Sequence, residues 1–364
     1  HYGKGWTNIR WVSNYYDYAA YAYVVFPLEG EPTICCWFNN PHDLAASVID
    51  DVRAEYDTSK IAVNRLKELG LENGKIAVVE HCTSTPRDHY ETFLKELPDA
   101  KFQFIFEDFM RIRWQKSAEE IERLEIAGEL GDLAIKAIAT KLRPGMKEYD
   151  LFSIAYSSIL ANGGEPRLML LASDSMRDPI RAPSVHIQDI RPMPRTIQSG
   201  DVIVQEIGPC YDSYECQTGK PITMGEPTDT YKEMFDIALK VYHKATEQFR
   251  TGRGDSEVRN AIMNDSELAR IVEQERLLLI FHGMHGVTPH DGPVYSIGPV
   301  YMLAGGELPH LFHPISLKPN TSHTIEIWVR APDFRGSLFL AESLLVTDDA
   351  PRRLNKYPLQ LTVI

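Results

Sequence analysis

The stretch DVIVQEIGPCYDSYECQTG, residues 201–219, decides the fold class because it predicts two strands joined by a turn. Amphipathic helices are predicted on both sides of it, SAEEIERLEIAGELGDLAIKAIATKL at 117–142 and TYKEMFDIALKVYHKATEQF at 230–249. Ser117 and Glu120 have the spacing of a capping box, and Thr230 and Glu233 repeat that signature. Helices that flank strands in this way favour a mixed α/β or α+β class.

Further out, the chain divides near RIRWQK, residues 111–116. Three later segments, RLLLIF (276–281), HTIEIWVRA (323–331) and SLFLAESLLVT (337–347), predict strands, so residues 116–364 are expected to form an α+β domain with a curved, mainly antiparallel sheet. Residues 1–115 predict an α/β domain with a β-hairpin over 20–38. Within it, LAASVIDDVRAEY (44–56) has the spacing of an amphipathic helix.

The charge balance excludes two classes of partner. The chain of 364 residues has 51 acidic and 38 basic side chains and a net charge of −13. We therefore expect neither nucleic acid nor a membrane as a partner, since both would be bound through Lys and Arg. No apolar run approaches the ~20 residues of a membrane span. The five cysteines include no CxxC pair, so a reducing, cytoplasmic setting is expected.

The segment FHGMHGVTPHDG, residues 281–292, places three histidines within nine residues. They are His282, His285 and His290, and Asp291 follows the last of them. Imidazole groups this close together favour a metal site. Whether a metal is held depends on the carboxylates that the rest of the chain supplies.

Seven segments occur in an order typical of one protein family: NIRWVSNYY, LEGEPTICCWF, RWQKSAEEIERLEIAGELGDLA, SGDVIVQEIG, MHGV, LKPNTSHTIEIW and LAESLLVTDD with NKYP. Together they resemble the creatinase/prolidase/aminopeptidase P superfamily across nearly the whole chain. The resemblance implies a pita-bread fold for the C-terminal domain. It also implies a homodimer, because relatives commonly dimerise.

Peptidases of that family hold two divalent metals with two Asp, one His and two Glu, and carboxylate and imidazole ligands suit such a pair of ions. The resemblance maps these five positions onto Glu206, Gln217, His285, Glu326 and Glu342. Both Asp are thus replaced, one by a longer acid and one by a neutral amide. We expect no bound metal pair and no cofactor. The alternative is one divalent transition metal on His285, Glu326 and Glu342, with Glu206 as a further ligand.

Creatinase is the branch of this superfamily without metals, and it hydrolyses a C–N bond of a small guanidino acid. By resemblance, we expect a creatinase-like hydrolase of a small polar substrate, cationic or zwitterionic, because unneutralised carboxylates would bind positive charge. The expected catalytic residues are His285, Glu326, Glu342, His186 and His290. The expected substrate-binding residues are Glu206, Gln217, Tyr214, Glu215 and His282.

Simpler roles remain open for several of these residues. Glu326 and Glu342 could be ion-paired with Arg330 or Arg335, and His282 could lie in the core bonded to the backbone. Two other functions also remain open. RLMLLAS (167–173) resembles a segment of dimethylsulfoniopropionate lyases, which allows a lyase. With Glu206 as an atypical ligand, the retained positions also allow a metal-dependent, Xaa-Pro peptidase-like hydrolase with a single-metal site. The pita-bread fold also serves as a non-catalytic binding module in some proteins, and this is the other function that remains open.

Overall fold

The computed structural model describes residues 5–16, 21–38, 41–79, 85–179, 193–284, 289–297 and 316–364. The chain forms two compact units, His1–Ile112 and Arg113–Ile364. Within the described ranges, no helix has the length and apolar character needed to cross a lipid bilayer.

The N-terminal unit is an α/β domain, in agreement with the sequence. Its elements are α1 (Gly5–Ser13), β1 (Tyr23–Val25), β2 (Thr33–Cys36), α2 (Pro41–Ala46), β3 (Asp51–Ala54), α3 (Thr58–Glu68), β4 (Lys75–Val78), α4 (Arg87–Glu96), β5 (Lys101–Phe104) and α5 (Phe106–Trp114), the last ending just past the unit boundary. β1 and β2 form the predicted antiparallel hairpin. β3 lies parallel to β2, and β4 pairs in parallel with β5.

The helix predicted over 44–56 is wrong. Only Pro41–Ala46 is helical, and Asp51–Ala54 is a strand whose residues pair with Thr33–Cys36. Ile49 is buried against Ile34 and Cys36 in a small apolar cluster that also contacts Val52. Strand pairing and burial of these β-branched side chains outweigh the helical spacing of the segment.

The C-terminal unit is the α+β domain that the sequence predicts. Its elements are α6 (Ala118–Lys141), α7 (Glu148–Ala161), β6 (Glu165–Ser175), β7 (Asp201–Tyr211), β8 (Tyr214–Glu215), β9 (Ile222–Thr223), α8 (Asp229–Thr246), α9 (Asp255–Met263), α10 (Ser266–Glu273), β10 (Leu277–Met284), β11 (Pro289–Ile297), β12 (Ser322–Arg330), β13 (Ser337–Leu345), β14 (Arg352–Arg353) and β15 (Thr362–Val363).

These strands form two sheets with helices on their outer sides. The β7 sheet has the order β15-β9-β7-β6, with β8 paired to β7. The β12 sheet has the order β11-β10-β12-β13-β14, and all its pairings are antiparallel. α6 and α7 pack with Ile203 and Ile207 of β7, and α8 contacts β12 and β13. Because a helix layer covers one face and the other sheet lies near the other face, β7 is buried over nearly its whole length.

Helix caps fix where α6 and α8 begin. Ser117 and Glu120 make the predicted capping box at the start of α6, with both reciprocal hydrogen bonds present. α8 begins two residues earlier than predicted, because the N-cap is Thr228, whose hydroxyl accepts a hydrogen bond from the Tyr231 N–H. Pro144 follows the end of α6, where a proline ring prevents continuation of a helix.

Candidate active site

The register of β12 against β13 decides which acidic side chains can meet. Glu326 is paired with Ala341, and Glu342 is paired with Ile325. Directly paired residues share a face of an antiparallel sheet, and consecutive residues alternate between faces. Glu326 and Glu342, predicted as members of one site, therefore lie on opposite faces of the β12 sheet.

Glu326 lies on the inner face, which we define as the side of each sheet turned toward the other sheet. Glu206 of β7 lies on the inner face of the β7 sheet, since its neighbour Ile207 packs with α6 and α7 on the other side. Both carboxylates are buried. Burial and the nearby carboxylate of Glu326 raise the pKa of Glu206, and burial raises the pKa of Glu326. The two sheets thus bring one buried carboxylate each to a common point.

His282 of β10 completes this cluster. It is paired with Thr324, so it shares the face of Glu326, and its Nε2 lies 3.0 Å from Glu326 Oε1. The ring is fully buried, and burial lowers the pKa of His282 to about 4, so the imidazole is neutral at pH 7. His282 therefore contacts a carboxylate instead of lying in the core bonded only to the backbone. We call Glu206, Glu326 and His282 the carboxylate cluster.

Two further predicted residues share the inner face. Thr218 forms a bridge with Ile207, so its neighbour Gln217 lies on the same face as Glu206. Glu215, paired with Cys210, lies on this face too, and Gln217 Nε2 donates a hydrogen bond of 3.3 Å to Glu215 Oε1. The Oε1 atom of Gln217 is buried and has no hydrogen-bond partner among the described residues. Gln217 thus presents an acceptor on the inner face.

Glu342 is not in this site, and its expected catalytic role is corrected. On the outer face of the β12 sheet, its Oε1 lies 2.6 Å from Nζ of Lys220, and its Oε2 accepts a hydrogen bond of 2.7 Å from the Tyr242 hydroxyl. The Arg353 guanidinium donates to both oxygens. Burial alone would raise the pKa of Glu342, but Lys220 and Arg353 together lower it. The carboxylate is fully neutralised by the protein.

Sequence reasoning missed the three partners of Glu342. The arginine partners expected from the sequence are Arg330 and Arg335, whereas the structure places Arg353 beside Glu342. Lys220 and Tyr242 are its other partners, and the sequence predicts neither of them. The one available signal was the strand period, because Ala341 and Glu342 must point to opposite faces whichever register β13 adopts.

The remaining predicted residues fall elsewhere. Tyr214 points to the α6 side of the β7 sheet, where its hydroxyl donates a hydrogen bond of 2.9 Å to Glu120. This position removes Tyr214 from the inner face. His186 and His285 lie outside the described residues. His290 belongs to β11, but its side chain lies outside the described part of the chain.

Comparisons with known proteins agree with this architecture. The family model described as metallopeptidase family M24 matches residues 122–348, more than half of the chain. An Xaa-Pro dipeptidase of Pyrococcus horikoshii is 24% identical over 301 residues, covering 81% of this chain and 75% of that protein. The X-Pro aminopeptidase of Thermotoga maritima superimposes with a TM-score of 0.77 at 18% identity, covering 99% of this chain and 94% of that one. The P. horikoshii prolidase gives 0.73 at 21%, covering 98% and 93%.

The match overturns the expectation that the chain uses no cofactor. The matched family is one of metallopeptidases, so a metal is part of what membership implies, and the cofactor-free expectation is wrong. The residues present nevertheless fit a two-ion centre poorly. Gln217 offers a neutral amide, and the carboxylate of Glu342 is taken by Lys220 and Arg353. Within the described ranges, no group of three or more His, Cys, Asp or Glu side chains is arranged to hold an ion.

The family match and the pita-bread neighbours confirm the resemblance that the ordered segments of the sequence indicated. They also confirm the expectation of a hydrolytic enzyme of the creatinase/aminopeptidase P type. The chain therefore belongs to metallopeptidase family M24.

Proposed function

We propose that this chain hydrolyses a C–N bond, of the amide or the guanidino type, in a small substrate that has a positively charged amino or guanidinium group, and that the carboxylate cluster is its centre. One observation carries the proposal: Glu206 and Glu326 are buried on facing sheets, and the Nε2 atom of His282 lies 3.0 Å from Glu326. Two buried carboxylates are costly as anions unless a positive group lies beside them, which is why their pKa values are raised, and a cationic substrate would supply that positive charge.

The residues of the cluster can do three things for such a substrate. Carboxylates at this point can bind the amino group of the substrate and so fix its orientation. A carboxyl group beside the reacting bond can exchange a proton with the leaving nitrogen or with water. His282 holds the carboxylate of Glu326 in one orientation through its contact at Oε1. A bound metal, where present, would polarise the scissile carbonyl and activate water.

Support for a peptide-like substrate comes from the relatives, several of which are named Xaa-Pro dipeptidases. The non-catalytic module is set aside, because the matched family and the named relatives are hydrolytic enzymes. Among the described residues no contact favours lyase chemistry, so the lyase stays a prediction. The homodimer, the cytoplasmic location and the absence of nucleic-acid and membrane partners also stay predictions.

A substrate panel tests the proposal. The purified chain, with and without added Mn²⁺, Co²⁺ or Zn²⁺, would be assayed with Ala-Pro, with N-acetylated Ala-Pro and with creatine, and the released amine measured by chromatography. We expect hydrolysis of Ala-Pro or creatine, and loss of the Ala-Pro activity when its amino group is acetylated. E326Q should lower kcat/KM by about 10²-fold or more.

The matched control is E125Q, which removes a carboxylate from a partly exposed ion pair with Arg352. It should keep the activity of the unmodified chain. Full activity of E326Q would remove the carboxylate cluster as the centre. Failure to hydrolyse any panel member under all metal conditions would remove the proposed substrate class.

A further inference from the structure

The position across from Glu326 is the one that a second metal-bridging carboxylate would need. Two ions held side by side are clamped by groups that reach both of them, so two bridging carboxylates on neighbouring strands must share a face and stand nearly opposite each other. Cβ atoms of directly paired residues are about 5 Å apart, which suits two side chains on one pair of ions. On β13, the residue paired with Glu326 is Ala341.

Glu342 cannot take that role by a small movement. Its side chain is on the outer face, fully buried, and is held by the Lys220 ammonium, the Tyr242 hydroxyl and the Arg353 guanidinium. To reach the inner face, β13 would have to slip by one residue, which would move every one of its side chains to the other face. The backbone bridge between Gly219 and Ala341, with hydrogen bonds of 3.0 and 2.9 Å, opposes such a slip.

We propose that Ala341 is the position that determines how many ions this site can hold, and that Glu342 is a structural residue neutralised by Lys220 and Arg353. The inference concerns the ligand geometry and does not depend on the proposed substrate. Two explanations of why the five ligand positions do not form a complete metal site can then be distinguished. If Glu342 were a ligand, restoring Asp at 206 and 217 would complete the set. If Ala341 occupies the ligand position, those two changes are insufficient.

Two matched variants decide between these explanations. E206D/Q217D and E206D/Q217D/A341E would each be loaded with Co²⁺, dialysed, and analysed for cobalt per chain by elemental analysis and for ligand-field absorption. We expect E206D/Q217D/A341E to retain more cobalt per chain than E206D/Q217D, approaching two ions. We also expect E206D/Q217D/E342Q to retain as much as E206D/Q217D.

Two results would overturn the inference: a full pair of ions on E206D/Q217D, or loss of cobalt caused by the E342Q change. Equal cobalt on a folded E206D/Q217D/A341E and on E206D/Q217D would overturn it too. Circular dichroism and the unfolding midpoint establish that each variant is folded. If the longer side chain at 341 prevents folding, A341D in the same background takes its place, with the same expected gain, and the E342Q comparison needs no change at position 341.

Discussion

Lys220 Nζ lies 2.6 Å from Glu342 Oε1, and both side chains are completely excluded from solvent. Lys220 Nζ also donates to the backbone carbonyl of Ala341, at 3.1 Å, so one ammonium group satisfies a carboxylate and a main-chain oxygen of the same strand. Lys220 follows the segment 217–219 of the β7 sheet directly, so this contact connects the two sheets on the side away from the carboxylate cluster.

K220M should destabilise the protein by about 3–5 kcal/mol, because it removes one partner of a buried ion pair and leaves a buried carboxylate with less compensation. The free energy of unfolding in urea measures the effect. The control is K232M, the same substitution in an exposed ion pair with Glu226, which should cost less than about 1 kcal/mol. Equal decreases in the free energy of unfolding for K220M and K232M would show that the buried ion pair contributes no more to stability than the exposed one.

H282N should lower kcat/KM about ten- to a hundred-fold, because Glu326 loses the contact that orients its carboxylate. The assay is hydrolysis of whichever panel substrate the unmodified chain accepts. H323N is the matched control, since His323 is equally buried on β12 but lies on the outer face, where its ring is 3.0 Å from the Thr321 hydroxyl. H323N should change stability and leave turnover unchanged. A similar fall in both variants would contradict a specific role for His282.

The free energy of unfolding should rise with pH between about 7 and 10 because of Lys116. Its Nζ donates to the carbonyls of Arg113 and Trp114, and burial lowers the pKa of Lys116 to about 7. In this window the unfolded chain binds a proton that the folded chain does not bind, so raising the pH favours the folded state by about 1 kcal/mol for each pH unit.

K116M isolates that contribution. Urea unfolding at pH 7, 8 and 9 should show the unmodified chain gaining stability relative to K116M as the pH rises, since the methionine has no proton to lose. The gain should stop above the pKa of an unfolded lysine, about 10.4. Parallel pH profiles for the two proteins would mean that Lys116 is charged in the folded state.

G128A should destabilise the protein by about 1–3 kcal/mol. Gly128 is buried in α6, and a Cβ added there would lie 2.3 Å from the carbonyl oxygen of Leu354, a backbone atom that cannot rotate away. E129A, at the exposed neighbouring position, is the control and should be nearly neutral, since alanine favours helix. A stability of G128A equal to that of E129A would indicate that the strand near Leu354 shifts freely.

Local chemistry made much of the fold predictable from the sequence. The capping box at Ser117 and Glu120 is a contact between near neighbours, so its spacing alone indicates where α6 begins. The helix prediction for 44–56 is wrong because Asp51–Ala54 pair with β2, a partner strand that no local sequence pattern identifies. The same limit applies to α8, whose spacing allowed a start at Thr230 although Thr228 supplies the cap.

The residues of the site also divide into those that the sequence predicts and those that only the folded structure identifies. Glu206 and Glu326 are predictable because each lies in a strand segment that resembles the family, and Gln217 because it follows Glu206 by eleven residues, the interval between the two aspartates of the family. Glu342 was misplaced because a one-residue shift along a strand reverses the face, and the sequence does not state the register. Only the folded arrangement identifies the partners of Glu342. Lys220 and Tyr242 are distant from it in the chain, and nothing in the local sequence distinguishes Arg353 from other charged residues.

The bridge between Gly219 and Ala341 is made of main-chain atoms alone. These hydrogen bonds do not involve the side chain at position 341. A metal-ligating side chain there could therefore be replaced by a methyl group during evolution while the two sheets stay connected. The backbone link does constrain Gly219, because a Cβ at that position would collide with the ring of Phe339. The backbone connection between the sheets and the side chains of the site can therefore change at different rates in evolution.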